Sequence, residues 1–434
     1  MISYIIEFIM ATEDKYYKRV ALAALTGATL AAMDFELFLA SLPGISALFH
    51  IAVSQITIMT DGAFIGSAAG AFIFGYLADK YGRKTIFMLM TLIYAIGSFF
   101  TAFAGSVLAY VGARAFSGFG SGGDESMGFT MAAEEAPPNK RTLMMMFVSF
   151  SFAIGTAAGA GIVLLFVRTN TYLPYVFLVG VIPALYVFYL RRSLRESKRF
   201  TDTRSAKEQL RQGKTDIKTE FGINKKEALK NTIHQMYSGE FRRTSILITI
   251  FVIYIAGIVA VDLIYFPFYL IDVKHFSFVT TILYEFLSYL MVIVGSVYAS
   301  LLGQKIGRKA VLYINLVISG LLVVGIILTT SAVGIFVLYA LFQVFLWSMW
   351  AAWPFYINET YPTRMRATAS NFGYGFQWVG NIIVPTLVSV ALAAGLSWNT
   401  ILYGLVVAPL FVLIFFVVPW KKSSAVSELE ANAI

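Results

Sequence analysis

The residues best able to do chemistry are six ionisable side chains that stand inside long apolar stretches of the sequence. A charged side chain at the centre of a bilayer costs about 2.5–3.5 kcal/mol on insertion scales, so such a residue is expected to have a function. Inside a membrane, carboxyl and guanidinium groups bind protons or pair with an opposite charge. The six residues are Asp34, Glu36, Arg114, Asp124, Asp262 and Glu285.

Composition indicates that these residues lie in a membrane. Of the 434 residues, 58% are hydrophobic and only 13% are charged, whereas an average soluble domain is about 25% charged. A soluble protein of this size would lack the polar residues needed to cover its surface. The net charge of +9 comes mainly from residues 191–243, which hold 15 Lys and Arg against 7 Asp and Glu. A basic segment beside a membrane indicates topology and contact with anionic lipid, so we expect no nucleic-acid partner.

Hydropathy predicts twelve membrane-spanning helices, because a span needs about 20 mostly apolar residues. With the N-terminus in the cytoplasm, cytoplasmic segments hold 30 of the 33 Lys and Arg, and the outer loops hold only Arg168 and Lys274. This asymmetry predicts that both termini are cytoplasmic. The predicted spans are 20–44, 56–78, 85–104, 106–131, 142–167, 172–190, 244–270, 279–302, 310–330, 332–357, 367–393 and 397–420.

An internal repeat divides the chain into two related halves. The sequence Gly-Arg-Lys at 82–84 recurs at 307–309, and the pattern Glu-x-x-Pro-x-x-x-Arg at 134–141 recurs at 359–366. Both matches have the same offset, so they indicate duplication of a six-helix unit, with halves related by an axis along the membrane normal. The predicted parts are an N-terminal bundle at 1–190, a charged cytoplasmic loop at 191–243 and a C-terminal bundle at 244–434.

The repeated motifs lie where helix pairs meet the cytoplasm, and their charges predict a latch between helix ends. Glycine permits a tight turn, while Arg and Lys face helix C-termini and nearby carboxylates. Topology anchoring alone would explain the basic residues, but it would not explain acids at matched positions in both halves. We assign Asp124, low in the fourth span, to the same gate. The predicted gate and latch residues are Gly75, Asp79, Gly82, Arg83, Asp124, Glu134, Arg141, Arg308, Glu359 and Arg366.

These motifs resemble those of the major facilitator superfamily, and the resemblance spans the whole chain. Residues 75–84 resemble the signature loop between the second and third helices of that family. Residues 114–124 resemble the fourth-helix pattern of its sugar-porter and metabolite–proton symporter branches, with Asp124 where those branches usually have Glu. Residues 362–370 resemble their loop between the tenth and eleventh helices. The resemblance implies two six-helix bundles, a central solute site and alternating access.

Three departures from the family pattern bear on the substrate and the latch. Gln304 stands in the second signature loop where the first has Asp79, so the latch is expected to be asymmetric. The seventh helix lacks the paired glutamines of hexose porters, which argues against a simple hexose. Gln377 in the eleventh span stands where related organic-acid carriers often have Arg.

Proton coupling is assigned to Asp34, Glu36 and Arg114. The resemblance implies an acid in the first helix opposite the Arg of the fourth helix, and Asp34 and Arg114 match those positions. Arg114 would hold Asp34 ionised, and protonation of Asp34 would relax the tie between helices one and four. Glu36 projects from a different side of its helix and is the alternative coupling acid. A purely structural ion pair is the competing interpretation.

Polar and aromatic residues at mid-span are the candidates for solute binding, because amides beside aromatic rings suit small hydroxylated or carboxylated molecules. Asp262 is expected to line the cavity near its outer half, Glu285 to lie close to the headgroups and Asp61 to be a solvated carboxylate. Trp353 and Trp398 are expected at the membrane interface. The substrate-binding candidates are Tyr265, Gln343, Trp347, Trp350, Asn371, Gln377, Trp378 and Asn381.

The sequence thus predicts an all-α, multi-pass plasma-membrane protein that acts as a monomer and carries a small polar organic solute, an organic acid or a sugar, by symport with protons. No metal-ligand spacing, P-loop or nucleophile–base pattern occurs, so we expect neither an enzyme nor an ATP-driven pump, and no cofactor besides the coupling proton. The chain has no cysteine, which excludes thiolate chemistry. An exporter, a uniporter and a non-transporting membrane sensor are the alternatives.

Overall fold

The computed structural model describes residues 15–124, 127–128, 141–192, 196, 232–361 and 363–417, and these parts are helical, without a β-strand. We label the long helices α1 to α12. They are α1 Lys15–Leu48, α2 Thr57–Tyr81, α3 Arg83–Ala102, α4 Val107–Ser121, α5 Arg141–Arg168, α6 Val176–Arg192, α7 Arg242–Asp272, α8 Phe278–Ile306, α9 Arg308–Leu328, α10 Ala332–Ser348, α11 Thr363–Ala393, and α12, which comprises Trp398–Leu402, a π-helical turn at Tyr403–Val407 and Ala408–Val417.

Length and composition make most of these helices able to cross a membrane. In the described part of the chain, nine helical segments are long and apolar enough to do so, and Ala332–Ser348 is a shorter apolar helix. Many of their large apolar side chains face outward, among them Leu108 and Phe415, which are 83% and 74% exposed. Such exposure would be unfavourable in water and is expected where lipid covers the surface.

The same pattern of helix pairs occurs in both halves. In the first half α1 packs on α5 and α6, α2 packs on α4, and α3 packs on α4 and α6. In the second half α7 packs on α11 and α12, α8 packs on α10, and α9 packs on α10 and α12. Each contact therefore has a counterpart six helices later, as a duplicated unit requires. The halves meet through α5 with α8, α2 with α11, and α1 with α7.

The repeated Gly-Arg-Lys motif makes the same turn in both halves. Gly82 has φ 106° and ψ 143°, and Gly307 has φ 90° and ψ 148°. A side chain is strongly disfavoured at these dihedral angles, so glycine is needed at the junction of α2 with α3 and of α8 with α9. We call the end of the molecule that carries these two turns the motif end.

Two predicted spans are not continuous helices. The fourth, predicted over 106–131, forms α4 only to Ser121 and then turns at Gly122 and Gly123. The tenth, predicted over 332–357, ends as α10 at Ser348 and continues through a 3-10 turn at Met349–Ala351 into a separate helix, Trp353–Thr360. Pro354 explains this second break, because it has no N–H and its ring clashes with the preceding turn of a helix.

Helices α2 and α4 approach closely because small residues line their contact. A Cβ atom at Gly118 would collide with the backbone carbonyl of Ala63, and one at Gly122 would collide with that of Ser67. Glycine is a common means of bringing membrane helices together. This close contact fixes the side of α4 that carries Arg114.

We predict that Gly118→Ala destabilises the protein and that Gly112→Ala on the same helix does not. The added methyl at Gly118 meets backbone that cannot rotate away, and such overpacking costs about 1–3 kcal/mol. At Gly112 no atom lies within 4 Å of the added Cβ, and Ala is the better helix former. The measurement is the melting temperature of the purified protein in detergent. Equal melting temperatures for the two variants would contradict the close packing of α2 on α4.

Candidate functional site

A buried ion pair joins α1 to α4. Both terminal nitrogens of Arg114 donate to Oδ2 of Asp34 at 3.2 Å. The other carboxylate oxygen accepts a 2.5 Å hydrogen bond from Ser98 of α3, and Ser117 of α4 lies 3.5 Å from Oδ2. Asp34 and Arg114 are each only 3% exposed. The carboxylate is thus held by one cation and two hydroxyls inside the first half.

Aromatic rings complete the surroundings of the guanidinium. The Cζ atom of Arg114 lies 4.4 Å from the ring centre of Phe38 and 5.2 Å from that of Phe177. An aromatic face attracts a cation most strongly where water is excluded. Nε of Arg114 has no hydrogen-bond partner among the described residues. The sequence had identified the pair of charges, but no pattern indicated Ser98 or these two rings.

A second group of acids lies where α1 meets the other half of the molecule. Glu36 of α1, Asp262 of α7 and Glu285 of α8 are 1%, 4% and 1% exposed and lie within electrostatic reach of one another. Gln343 of α10 donates its amide N–H groups to both oxygens of Asp262, at 2.9 and 3.2 Å. We call Glu36, Asp262 and Glu285 the inter-half acid cluster. The expectation that Glu285 lies near the headgroups was wrong, because its helix face packs inward.

A central cavity lies at the boundary between the two halves. It lies between α1, α4 and α5 of one half and α7, α10 and α11 of the other. Trp347, Trp350 and Trp378 supply most of its ring surface, and Gln377 and Asn381 supply amides. Among the described residues on its wall, none is ionisable. The other lining residues are Ala28, Ala31, Ala32, Phe35, Ser121, Phe152, Val259, Ala260 and Leu263.

Some polar groups of the cavity wall are already satisfied and others are not. The Asn381 amide is oriented to donate to the backbone carbonyl of Ala256 at 2.9 Å, and Nε1 of Trp378 donates to that of Gly122 at 3.0 Å. Oε1 of Gln377 and Nε1 of Trp347 have no hydrogen-bond partner among the described residues. Both atoms are buried, so neither is exposed on the cavity surface.

Two of the remaining substrate candidates, Tyr265 and Gln343, do not line the cavity. Gln343 is committed to Asp262, and Tyr265 is 1% exposed, with its ring 6.2 Å from that of Trp398. The side chain of Asn371 lies outside the described part of the chain. Trp353 was expected at the membrane interface, and this was wrong. It is 1% exposed and packs on Gly373 and on the ring of Tyr374, because the break in the tenth span turns it inward.

At the motif end the structure places one acid that the sequence analysis had not selected. Oε1 of Glu196 accepts hydrogen bonds from the backbone N–H groups of Arg83 at 2.8 Å and Lys84 at 3.4 Å. Its other oxygen fills the space beside Gly82, where a Cβ would sit. A carboxylate at the N-terminus of α3 binds free N–H groups and interacts favourably with the helix dipole. The only sequence signal for this contact was a single Glu among the five basic residues of 191–199.

The predicted latch is described only in part. Arg308 is 2% exposed, and its Nη1 donates to the backbone carbonyl of Ser300 at 3.2 Å, near the C-terminus of α8. Asp124 is buried at the end of α4, and a Cβ at Gly75 would meet no atom within 4 Å. Glu134 lies outside the described residues. So do the side chains of Asp79, Arg141, Gln304, Glu359 and Arg366 and most of the loop 191–243.

The two halves also touch at the end opposite the motif end. Ser389 of α11 donates to the backbone carbonyl of Ser54 at 2.5 Å, and its hydroxyl accepts from Thr57 of α2 at 3.2 Å. Thr386 donates to Asp61 at 3.4 Å. Asp61 was expected to be solvated. Instead it is half-buried, and its Oδ1 has no hydrogen-bond partner among the described residues, because α11 covers it.

Comparison with known proteins assigns this architecture to a family. Residues 24–385 match the model of the Major Facilitator Superfamily. The chain belongs to the major facilitator superfamily. The structure of the xylose transporter XylE from E. coli in a partially occluded inward-open conformation superposes with a TM-score of 0.75 and 19% sequence identity, covering 95% of this chain and 99% of that one. The predicted fold family is therefore confirmed.

Relatives of this chain are named as transporters of small organic molecules. A putative niacin/nicotinamide transporter of Bacillus subtilis is 28% identical over 84% of this chain and 86% of its own length. A sialic acid transporter of Escherichia coli is 23% identical over 85% of this chain and 86% of its own length. An arabinose-proton symporter of Bacillus subtilis is 22% identical over 95% of this chain and 94% of its own length. This superfamily member is a multi-pass membrane transporter of small molecules and not an enzyme.

We predict that Glu196→Ala lowers the stability of this transporter and that Glu196→Gln lowers it less. The alanine leaves two N–H groups at the start of α3 without their acceptor, at a cost of about 1 kcal/mol, whereas glutamine retains a carbonyl oxygen. The melting temperatures of both variants in detergent test this order. A loss in Glu196→Gln as large as that in Glu196→Ala would show that the negative charge, and not the cap, is what matters.

Proposed function

We propose that this transporter imports a small polar organic solute together with protons, by alternating access. The observation that carries the proposal is the placement of three successive residues of α1. Phe35 lines the central cavity, Asp34 is buried beside Arg114 on one side, and Glu36 is buried in the inter-half acid cluster on the other. A solute in this cavity would lie between two buried acids.

Asp34 and Arg114 support proton coupling because protonation of Asp34 would weaken their ion pair. While Asp34 is ionised, the pair ties α1 to α4 and leaves no free cation beside the cavity. Binding of a proton by Asp34 removes the charge that Arg114 holds, so the tie weakens and the conformation with separated helices becomes more accessible. Ser98 remains available to bond the neutral carboxyl. A proton gradient would then bias the position of α1, and with it the solute cavity.

The cavity wall favours a flat, ring-bearing organic acid or amide over a sugar. A sugar carries hydroxyls around its whole ring, and each one loses its hydrogen bonds to water unless the site replaces them. Here the wall offers three indole rings and few polar side chains, chiefly the amides of Gln377 and Asn381. Niacin, named for the Bacillus subtilis relative, is a planar ring acid of this kind. A cotransported proton would balance the charge of its carboxylate on a wall whose described residues are not ionisable, so nicotinate is the solute we would test first.

We expect Asp34→Asn to lower proton-driven uptake of nicotinate into proteoliposomes about tenfold or more, while solute exchange without a gradient persists. The asparagine amide cannot bind or release a proton, so an imposed proton gradient would no longer act on α1 through this position. The assay is uptake with and without an imposed proton gradient, with xylose and arabinose measured in parallel and Gln55→Met, an exposed substitution, as the control.

Three results would change the proposal in different ways. Uptake by the unaltered protein that ignores the gradient would replace symport by uniport. Full gradient-driven uptake by Asp34→Asn would remove Asp34 from the coupling. Transport of the sugars in preference to nicotinate would overturn the assignment of the solute class.

The proposed topology is twelve spans in two six-helix halves, 1–190 and 244–434, with both termini in the cytoplasm and a monomer as the working unit. The nine membrane-length helices of the described part and the excess of Lys and Arg in alternate loops support it. It places the motif end in the cytoplasm.

Because the chain has no cysteine, single cysteines map this topology directly. We expect Thr171→Cys to react with a membrane-impermeant maleimide on intact cells, and Lys305→Cys, at the motif end, to react only after the cells are opened. Both positions are exposed. The reverse pattern would invert the orientation, and reaction of both on intact cells would contradict an odd number of spans between them. Native mass in detergent tests the monomer.

A further inference from the structure

We propose that Glu36, Asp262 and Glu285 form a second proton-binding site, which holds protons while the two halves are in contact and releases them when the halves separate. The inference rests on the proposed proton coupling and extends it from the first half to the boundary between the halves. It assigns a role to two acids, Asp262 and Glu285, that the family motifs do not cover.

Each acid of the cluster comes from a different helix, and each is enclosed. Glu36 reaches the cluster from α1 by packing its Cβ and Cγ against Gly159 of α5, where any side chain would collide with it. Asp262 lies on α7 and Glu285 on α8, so the cluster joins one helix of the first half to two of the second. Lipid and water are both excluded, since none of the three is more than 4% exposed.

The carboxyl oxygens have too few partners to be ionised. Both oxygens of Glu285 and Oε2 of Glu36 have no hydrogen-bond partner among the described residues. The carboxylate of Asp262 accepts hydrogen bonds from the amide of Gln343. The described residues place no Lys or Arg in salt-bridge contact with any of the three acids.

The groups that face the cluster from the surrounding helices are neutral. α8 contributes Tyr289, and α10 contributes Tyr339, Gln343 and Trp347. On α1 the nearest other charge is Asp34, which is already paired with Arg114. The hydroxyl of Tyr339 and the indole N–H of Trp347 lie around Asp262 without completing a hydrogen bond within the described part of the chain. Unpartnered donors and acceptors therefore lie around the same buried acids.

Protons are the ligand that this chemistry fits. An unpaired carboxylate in a dry interior is far less favourable than a neutral carboxyl, and neighbouring acids share protons because their charges repel. A bound metal ion is the other way to neutralise such a group. Among the described residues, however, no three acids or histidines are placed to hold one ion together.

One side chain connects the cluster to the solute. The ring of Trp347 forms part of the cavity wall and lies 5.0 Å from that of Phe152, while its Nε1 faces Asp262. Phe35 on the opposite wall is the residue next to Glu36. A solute that displaces either ring shifts a neighbour of the cluster. Movement of α1 away from α7 and α8 would admit water, which stabilises the ionised acids and lets their protons leave.

The test uses isosteric amides in the full-length protein: Glu36→Gln, Asp262→Asn and Glu285→Gln, singly and together. Infrared difference spectra between near-neutral and alkaline buffer, in both of which solvated carboxyls are ionised, report the carboxyls that remain protonated at neutral pH. We expect the triple variant to lose most of the carboxyl band that the unaltered protein shows, and each single variant to lose part of it. Asp272→Asn, an exposed acid on the same α7, is the control and should retain the band.

Transport gives a second measurement. We expect the triple variant to carry at least one proton fewer per solute than the unaltered protein in proteoliposomes, and its exchange rate to depend less on pH. An unchanged carboxyl band and an unchanged proton-to-solute ratio in the triple variant would overturn the inference and leave symport through Asp34 intact. If the triple variant does not fold, the single variants decide by the same two criteria. If the unaltered protein shows no proton-driven uptake, the proposed function is refuted, while the infrared band would still test the cluster.

Discussion

The fold is organised around one constraint, the cost of an uncompensated charge inside a bilayer. Asp34 and Arg114 meet it by pairing, and several features of the first half serve that pair. Close packing of α2 on α4 at Gly118 fixes the face of α4 that presents Arg114, and Ser98 of α3 completes the shell of the carboxylate. Substitution of a residue that only sets helix spacing would therefore change the coupling chemistry by moving one charge relative to the other.

The second acid group meets the same constraint in a different way. It has no cation, and its acids come from both halves, so their neutrality depends on contact between the halves. In the proposed cycle the ion pair lies within one half. The protonation of the inter-half acid cluster, by contrast, changes when the halves move relative to each other. The sequence favoured a proton switch confined to the first six helices. The structure brings Asp262 and Glu285 of the second half to Glu36, which argues for a proton switch shared by both halves.

Hydropathy and motif spacing predicted the membrane helices and the repeat, because apolar length and a constant offset are linear signals. The resemblance to the family, carried by its motifs, implied the partner of Asp34. These signals did not predict which way a side chain faces. A membrane helix is apolar on nearly every side, so periodicity does not distinguish a lipid face from a buried one. Glu285 and Trp353 were misplaced for that reason. Glu196 was not selected because it acts through backbone N–H groups, which any sequence at that turn would provide.

The geometry of α1 explains how one helix can link both acids to one solute. Successive residues of an α-helix differ by about 100° in direction, so Asp34, Phe35 and Glu36 face three separate surroundings: the first bundle, the cavity and the second bundle. A rotation or tilt of α1 that repositions Phe35 against a solute must also displace both carboxyls. Coupling then needs no long pathway through the protein, because the solute wall and the two acids belong to the same turn of the same helix.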